Sequence, residues 1–295
     1  MNLANLLPGR AAFFWAFIFN RWELDKKRTR VLPPGYMPTV SVVIPALNEA
    51  ENLPHVVPLI PSWIDEVLLV DGHSTDGTTE TAQQLCPGIR IVQQEGRGKG
   101  AALRSGFKAA KSDIIIMLDA DGSTDPGEIP AFVSTLLAGA DFAKGSRFVQ
   151  GGGTADMPWY RRWGNKCFVM MVRLLFGGAY SDLCYGYNAF WADVLPALNL
   201  NVDGFEIETA MNVSALRAKL KIVEVPSYEY ERIYGTGRLQ TIPDGWRVLK
   251  AIFREWLTPP RPIARRVSAE ARSRRIGAPA GERTGLPHTA EVEPS

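Results

Sequence analysis

Short apolar runs rich in β-branched residues punctuate the first half of the chain, and each gives way to a loop of Gly, Asp, Asn or Pro. Val40-Ser-Val-Val-Ile44, closed by Pro45, predicts a first strand; Val67–Val70, Ile89–Val92 and Ile114–Leu118 predict three more. Helical patterns lie between them. Asn48 reads as an N-cap followed by acidic residues, and a further helix starts near Thr78. Gly96-Arg-Gly-Lys-Gly-Ala102 then opens a helix carrying Leu103, Phe107 and Ala110. This alternation predicts an α/β fold: a doubly wound, mostly parallel sheet with helices on both faces.

The second half has longer steps. Pro126-Gly-Glu-Ile-Pro130 starts a helix, Ala140–Phe148 gives a strand ending in a loop, and Gly151-Gly-Gly153 marks a flexible stretch. Residues 158–177 read as a helix whose buried stripe is Trp159, Trp163, Phe168, Met171, Val172 and Leu175. Ile222–Pro226 is a late strand, and residues 244–257 have helical periodicity through Trp246, Leu249, Phe253 and Leu257. The expected organisation is an N-terminal aromatic and basic amphipathic segment with a Pro/Gly linker (1–38), an α/β domain (39–240), a C-terminal amphipathic helix (241–258) and a disordered basic tail (259–295).

Composition narrows the partners. The chain has 295 residues, 46% of them apolar, enough for a sizeable core. A net charge of +2 does not make the whole molecule a polyanion binder, and no nucleic-acid partner is expected. Arg and Lys nevertheless crowd into residues 21–30 and 247–275. Three scattered cysteines fit a reducing, cytoplasmic compartment. Residues 11–20 (Ala-Ala-Phe-Phe-Trp-Ala-Phe-Ile-Phe-Asn) are too short to span a bilayer, and most of the positive charge follows them, unlike a signal peptide. Such a helix either rests in a membrane interface or packs across the domain's own surface.

The chemistry centres on Ile114-Ile-Ile-Met-Leu-Asp-Ala-Asp-Gly-Ser123. Its apolar part reads as a strand buried on both faces, and carboxylates spaced i, i+2 on a strand point to one side. Asp119 and Asp121 would then meet at the carboxyl end of a central strand, where open α/β sheets bind ligands. Two crowded carboxylates repel unless a proton or cation intervenes, and Mg²⁺ is commonly held by such a pair plus substrate phosphates. The alternative is an ordinary Asp-rich turn. Asp71, ending the second strand, is placed to accept hydrogen bonds from a base or a ribose. Arg97 and Lys99, among three glycines before a helix, are either phosphate ligands or surface cations. Arg147 is placed to hold a diphosphate bidentately. Glu206 and Glu208 are candidates for base or acceptor contact, and Arg232 and Arg238 flank a loop able to close over phosphates.

These stretches in this order (Val-Val-Ile-Pro-Ala-Leu-Asn-Glu, Val-Asp-Gly-His-Ser-Thr-Asp-Gly-Thr, Gly-Lys-Gly, Leu-Asp-Ala-Asp-Gly, Gly-Ser-Arg) resemble family-two glycosyltransferases with the GT-A fold, a Rossmann-like sheet. Ser181-Asp-Leu183, Phe205–Glu208, Val223-Glu-Val-Pro226 and Arg232-Ile-Tyr-Gly-Thr-Gly-Arg-Leu239 are similar to the polyprenyl-phosphate (dolichyl-phosphate) sugar synthase branch. The resemblance covers roughly residues 39–240. It implies a metal-dependent inverting transfer of a hexose from a nucleotide-diphosphate sugar to an acceptor, most plainly a polyprenyl phosphate at a membrane surface. It also implies Mg²⁺ or Mn²⁺ on Asp119 and Asp121 with Ser123 at a third ligand position. Pro45, Asn48, Glu49, Asp71, Lys99, Ala120, Arg147, Arg232 and Arg238 would line the donor. Departures are His73 after Asp71-Gly72, Ser123 in place of a better ligand, a divergent Leu183–Phe190 stretch, and no C-terminal membrane helices. A soluble transferase acting on a hydroxyl acceptor, with Glu206 or Glu208 as base, and a non-catalytic nucleotide-sugar binding protein are the rival readings. A nucleotidyltransferase would also suit a nucleotide-binding α/β sheet, but this chain has no Gly-rich signature loop after the first strand.

Overall fold

Ile114, Ile115 and Ile116 are fully buried and form the middle strand of the sheet. The structure, a computed structural model, describes residues 30, 32, 34–155, 157–178, 180–237 and 239–259. Residues 11–29, the tail from residue 260 and Arg238 therefore lie outside the described residues. One unit ends at Tyr36 and a larger one begins at Met37, to which all elements below belong.

The strands are β1 (Val40–Ala46), β2 (Glu66–Asp71), β3 (Arg90–Gln93), β4 (Ile114–Met117), β5 (Phe142–Ser146), β6 (Gly153–Thr154), β7 (Asn188–Trp191), β8 (Ile222–Pro226) and β9 (Tyr228–Glu229). The helices are α1 (Thr78–Leu85), α2 (Lys99–Ala109), α3 (Ile129–Leu137), α4 (Trp159–Phe176), α5 (Ile207–Arg217) and α6 (Thr241–Leu257). Seven strands make one sheet in the order β3-β2-β1-β4-β7-β5-β8, and β6 pairs with β9. The β3-β2-β1-β4 half is parallel, as the alternation predicts. β7, which the pattern did not announce, enters antiparallel between β4 and β5, with Met117 opposite Asn188. α2 packs on β1 and β2, and α3 on β5 and β7.

Four local expectations are corrected. β1 runs through Pro45 to Ala46, because β4 pairs with it only as far as Val43 and the missing N–H there costs little. Asn48 caps no α-helix; it adopts φ 52°, and the chain makes two 3₁₀ turns, Leu53–His55 and Val57–Leu59. Pro54 and Pro58 each remove an N–H that an α-helix would need. On α4, Val172 is buried but Trp159 is 79% exposed, and Trp163 is exposed too. On α6 the inward residues are Val248, Ala251, Ile252 and Glu255, whereas Trp246, Phe253 and Leu257 face outward. Both helices carry apolar residues on two sides, so periodicity alone did not identify the packed one. Val172, Tyr180, Leu183, Val213, Val248 and Ile252 form the core that joins α4, α5 and α6.

Candidate functional site

Parallel pairing of β1 with β2 and β4 brings the loops that follow these strands to one edge of the sheet. Asp119 and Asp121 lie there, separated by the buried Ala120. Each already faces a cation. Lys99, in the first turn of α2, places Nζ 2.7 Å from Asp119 Oδ1 and 2.9 Å from Glu208 Oε1. Arg232 places Nη1 3.1 Å from Asp121 Oδ2, while its Nη2 donates to both oxygens of Glu49 at 2.6 and 2.5 Å. Ser123 donates its N–H (3.1 Å) and Oγ–H (2.7 Å) to Asp121 Oδ1, fixing that carboxylate's rotation. Burial works against the Lys99 charge, yet Asp119 and Glu208 outweigh it and hold the ammonium protonated. Burial pushes the Glu208 carboxyl up, Lys99 opposes this, and Asp119 adds to the rise. Gly186 lies beneath the trio: a Cβ there would stand 3.0 Å from both Asp119 Oδ2 and Lys99 Nζ. That glycine belongs to the divergent 183–190 stretch and is a site residue that sequence reasoning missed.

Arg147 departs from its expected role. Its guanidinium is buried and makes a bidentate pair with Asp182 (Nε to Oδ2 2.7 Å, Nη2 to Oδ1 2.9 Å), and Nη1 donates to both Glu229 oxygens at 3.0 Å. Burial would raise the Asp182 carboxyl, but Arg147 overrides it and holds Asp182 below the usual carboxylate range. Behind this pair, Lys144 is fully buried and donates to the carbonyls of Gly145 (2.7 Å) and Tyr185 (3.0 Å). Arg147 thus spends its donors on bracing the sheet edge rather than on an open anion site. The glycine loop before α2 also differs from a phosphate cradle. Arg97 is exposed, Lys99 faces carboxylates, and the Gly100 N–H donates to Asp203 O at 2.8 Å.

The sequence pattern of the family described as Glycosyl transferase family 2 matches residues 41–198. The chain belongs to glycosyl transferase family 2. It is 33% identical over 227 residues to glycosyltransferase AglJ of Haloferax volcanii, covering 74% of this chain and 73% of that one. It is 32% identical over 230 residues to polyprenol monophosphomannose synthase of Mycolicibacterium smegmatis, covering 73% and 85%. Its fold is that of glucosyl-3-phosphoglycerate synthase from Mycobacterium tuberculosis, with a TM-score of 0.60 at 22% identity over 78% of this chain and 88% of that chain. The expectation of a GT-A glycosyltransferase is thereby met.

In this family-2 chain the remaining motif residues gather around the same edge or near it. Asp71 is 4% exposed, with its carboxylate accepting from Ser74 N at 3.1 and 3.3 Å. Asn48 ties the first loop to the second, accepting from Thr75 N at 2.8 Å and donating its own N–H to Ser74 Oγ at 2.9 Å. Pro45 pairs with Val70. Glu206 sits before α5, where one oxygen accepts from Gly204 N at 3.3 Å and the other is buried without a partner. Asn52, not singled out by the sequence, holds Glu49 Oε2 at 2.7 Å and Tyr234 O at 3.2 Å. Among the described residues no helix is long and apolar enough to cross a membrane.

Proposed function

We propose that the chain transfers a hexose, with inversion, from a nucleoside-diphosphate sugar to a polyprenyl (dolichyl-type) phosphate at a membrane surface. Asp119 and Asp121 would hold Mg²⁺ or Mn²⁺. One observation carries the reading: four carboxylates (Glu49, Asp119, Asp121, Glu208) share two cations (Lys99, Arg232). The formal surplus of two negative charges fits one divalent ion. Among the described residues no group of three or more His, Cys, Asp or Glu forms a metal cage, so the fit is to an ion held by two carboxylates and completed by substrate phosphates. When bound, the ion would neutralise the diphosphate leaving group.

The chain's own residues do the rest. Asp71 accepts from the nucleoside, with Pro45, Asn48 and Glu49 shaping the loop beside it. Ser123 orients Asp121 and serves the site through that carboxylate. Arg232, on a loop reaching over the site, supplies charge to the phosphates. Arg147 braces the edge from behind. Glu208 is bound to Lys99 and buried, which suits an acceptor phosphate, already anionic near neutral pH and in no need of a strong base. The name of the mycobacterial relative supports a lipid-phosphate acceptor.

Membrane contact is supported by α4, which exposes Trp159, Trp163, Met170 and Leu174, and by α6, which exposes Ile242, Trp246, Phe253 and Leu257. Arg247, Lys250 and Arg254 are exposed on α6 as well, the mixture of aromatic and basic groups that suits an anionic interface on the cytoplasmic side. The test is a screen of labelled nucleotide sugars over polyprenyl-phosphate vesicles, with and without EDTA, followed by organic extraction. Label is expected in the organic phase and is lost on chelation. Label only in water-soluble product would replace the lipid acceptor with a hydroxyl one, and transfer indifferent to EDTA would remove the metal.

A further inference from the structure

Arg232 belongs to a strap, residues 228–234, that lies across the turn holding Asp121. Tyr230 N donates to Ser123 O at 2.9 Å and Ile233 N to Asp121 O at 3.3 Å. The Ile233 side chain covers Gly122 so closely that a Cβ on that glycine would stand 2.5 Å from Cδ1. At its far end Tyr234 N donates to Asn52 Oδ1 at 2.9 Å, and Arg232 Nε returns to Tyr234 O at 2.7 Å. The strap thereby delivers a guanidinium, its side chain 15% exposed, into the gap between Glu49 and Asp121.

We infer that Arg232 is the resident cation of the Asp121 site, and that a divalent ion and Arg232 hold Asp121 in exchange rather than together. The inference rests on the proposed reading of Asp121 as a metal ligand. A guanidinium at hydrogen-bond distance from a carboxylate repels a second cation placed on the same group. Its grip is uneven: two contacts to Glu49 at 2.6 and 2.5 Å, one to Asp121 at 3.1 Å. The Asp121 contact is the end that yields, while Glu49 keeps the guanidinium nearby. Lys99 differs in being held evenly, at 2.7 Å from Asp119 and 2.9 Å from Glu208, so its metal-side contact is not the weaker one.

Two consequences follow. Metal alone binds against a built-in competitor. A diphosphate arriving with the metal offers the displaced Arg232 a new anionic partner, so metal and nucleotide tighten each other's binding through this side chain. Asp121 thus stays neutralised in the ligand-free enzyme without being committed.

The experiment titrates Mn²⁺ into the full chain, following free Mn²⁺ by electron paramagnetic resonance, first alone and then with UDP or GDP. Arg232→Met is expected to bind Mn²⁺ alone about fivefold more tightly than the unaltered protein, the ratio equivalent to roughly 1 kcal/mol for a partly exposed ion pair. It should also lose most of the tightening that the nucleoside diphosphate gives. Asn52→Ala, which cuts the strap's tether at Tyr234 and removes a donor from Glu49 without contacting Asp121 or Arg232, is expected to shift Mn²⁺ affinity the same way by less. Equal or weaker Mn²⁺ binding by Arg232→Met overturns the exchange while leaving the metal site standing. No Mn²⁺ binding by any form, with or without nucleotide, overturns the metal reading and the exchange with it.

Discussion

Two ion clusters at the same sheet edge use the same residue types to opposite ends. In the front cluster Lys99 and Arg232 serve four carboxylates, the side chains of Asp119 and Asp121 are 25% and 24% exposed, and a strap crosses the opening. In the rear cluster Arg147 is enclosed with Asp182 and Glu229, its side chain 5% exposed and that of Asp182 fully buried. Both clusters have two carboxylates per cation, but the front opens both aspartates to solvent, whereas the rear encloses Arg147 and Asp182 and leaves only Glu229, at 21%, partly exposed. A buried bidentate pair is hard to break and gains little from a ligand, whereas a half-open surplus of carboxylate is where an arriving cation gains most. On the proposed function, this difference gives Arg232 to the chemistry and Arg147 to the architecture.

The sharpest way to break this contrast is to neutralise one member of each cluster. Asp121→Asn is expected to cost roughly a hundred- to a thousandfold in sugar transfer. The same change should move the melting temperature by no more than about 2 °C, because a partly exposed pair contributes little stability. Arg147→Met should do the reverse. Leaving Asp182 buried and unpaired costs about 3–5 kcal/mol, a fall of roughly 10 °C by calorimetry. Transfer by the fraction that remains folded should stay within about tenfold, since the brace acts at a distance from the reacting atoms. A stable Arg147→Met protein with no activity would move Arg147 to the front and return it to the diphosphate.

Acid titration probes the same contrast with a smaller effect. Burial alone would raise Asp182, and Arg147 holds it low instead. A carboxyl with a depressed native pKa and an ordinary unfolded one adds stability above about pH 4, and that stability is lost as the pH falls through the native value. Glu208 has the opposite sign. Its native carboxyl is raised by burial, so its contribution is full at low pH and is lost as pH rises through the raised value. Urea unfolding from pH 3 to 7 should therefore show a steep acid limb that flattens in Asp182→Asn and survives in Glu208→Gln. An acid limb untouched by Asp182→Asn would show that the rear pair does not anchor the fold.

Much of the front cluster was legible in the sequence because local rules govern it. The apolar run fixes β4 as a central strand, and Asp71 ends β2 two places away in the sheet. Asp119 and Asp121 fall in the turn beyond Met117, however, so strand alternation does not set the side each carboxylate takes. The partners were not legible. Lys99 reads equally as a phosphate ligand or a surface cation, and only the approach of α5 shows that Glu208 claims it. Arg147 carries the same ambiguity, since its consumption by Asp182 and Glu229 depends on contacts spanning 35 and 82 residues. β7 escaped notice for a related reason. Asn188-Ala-Phe-Trp191 is short, and its antiparallel insertion comes from pairing with β4 and β5, which no local pattern records. Where both sides of a helix are apolar, as on α4 and α6, the packed side is likewise a tertiary fact.

That last ambiguity yields the smallest effect on stability and a clean effect elsewhere. Trp246 is 58% exposed on α6, Phe253 is exposed one groove further along, and Lys250 and Arg254 flank them. Since neither ring is packed in the core, Trp246→Ser with Phe253→Ser should change unfolding free energy by no more than about 0.5 kcal/mol per site. Affinity for anionic vesicles, read by flotation, should nevertheless fall about thirtyfold or more, because burying two aromatic side chains in a lipid interface contributes roughly 1–3 kcal/mol each. Soluble nucleotide-sugar hydrolysis, which needs only the front cluster, should persist. A double variant that floats as well as the parent would take α6 out of any membrane contact. One that unfolds would mean these rings are covered by part of the chain rather than by lipid.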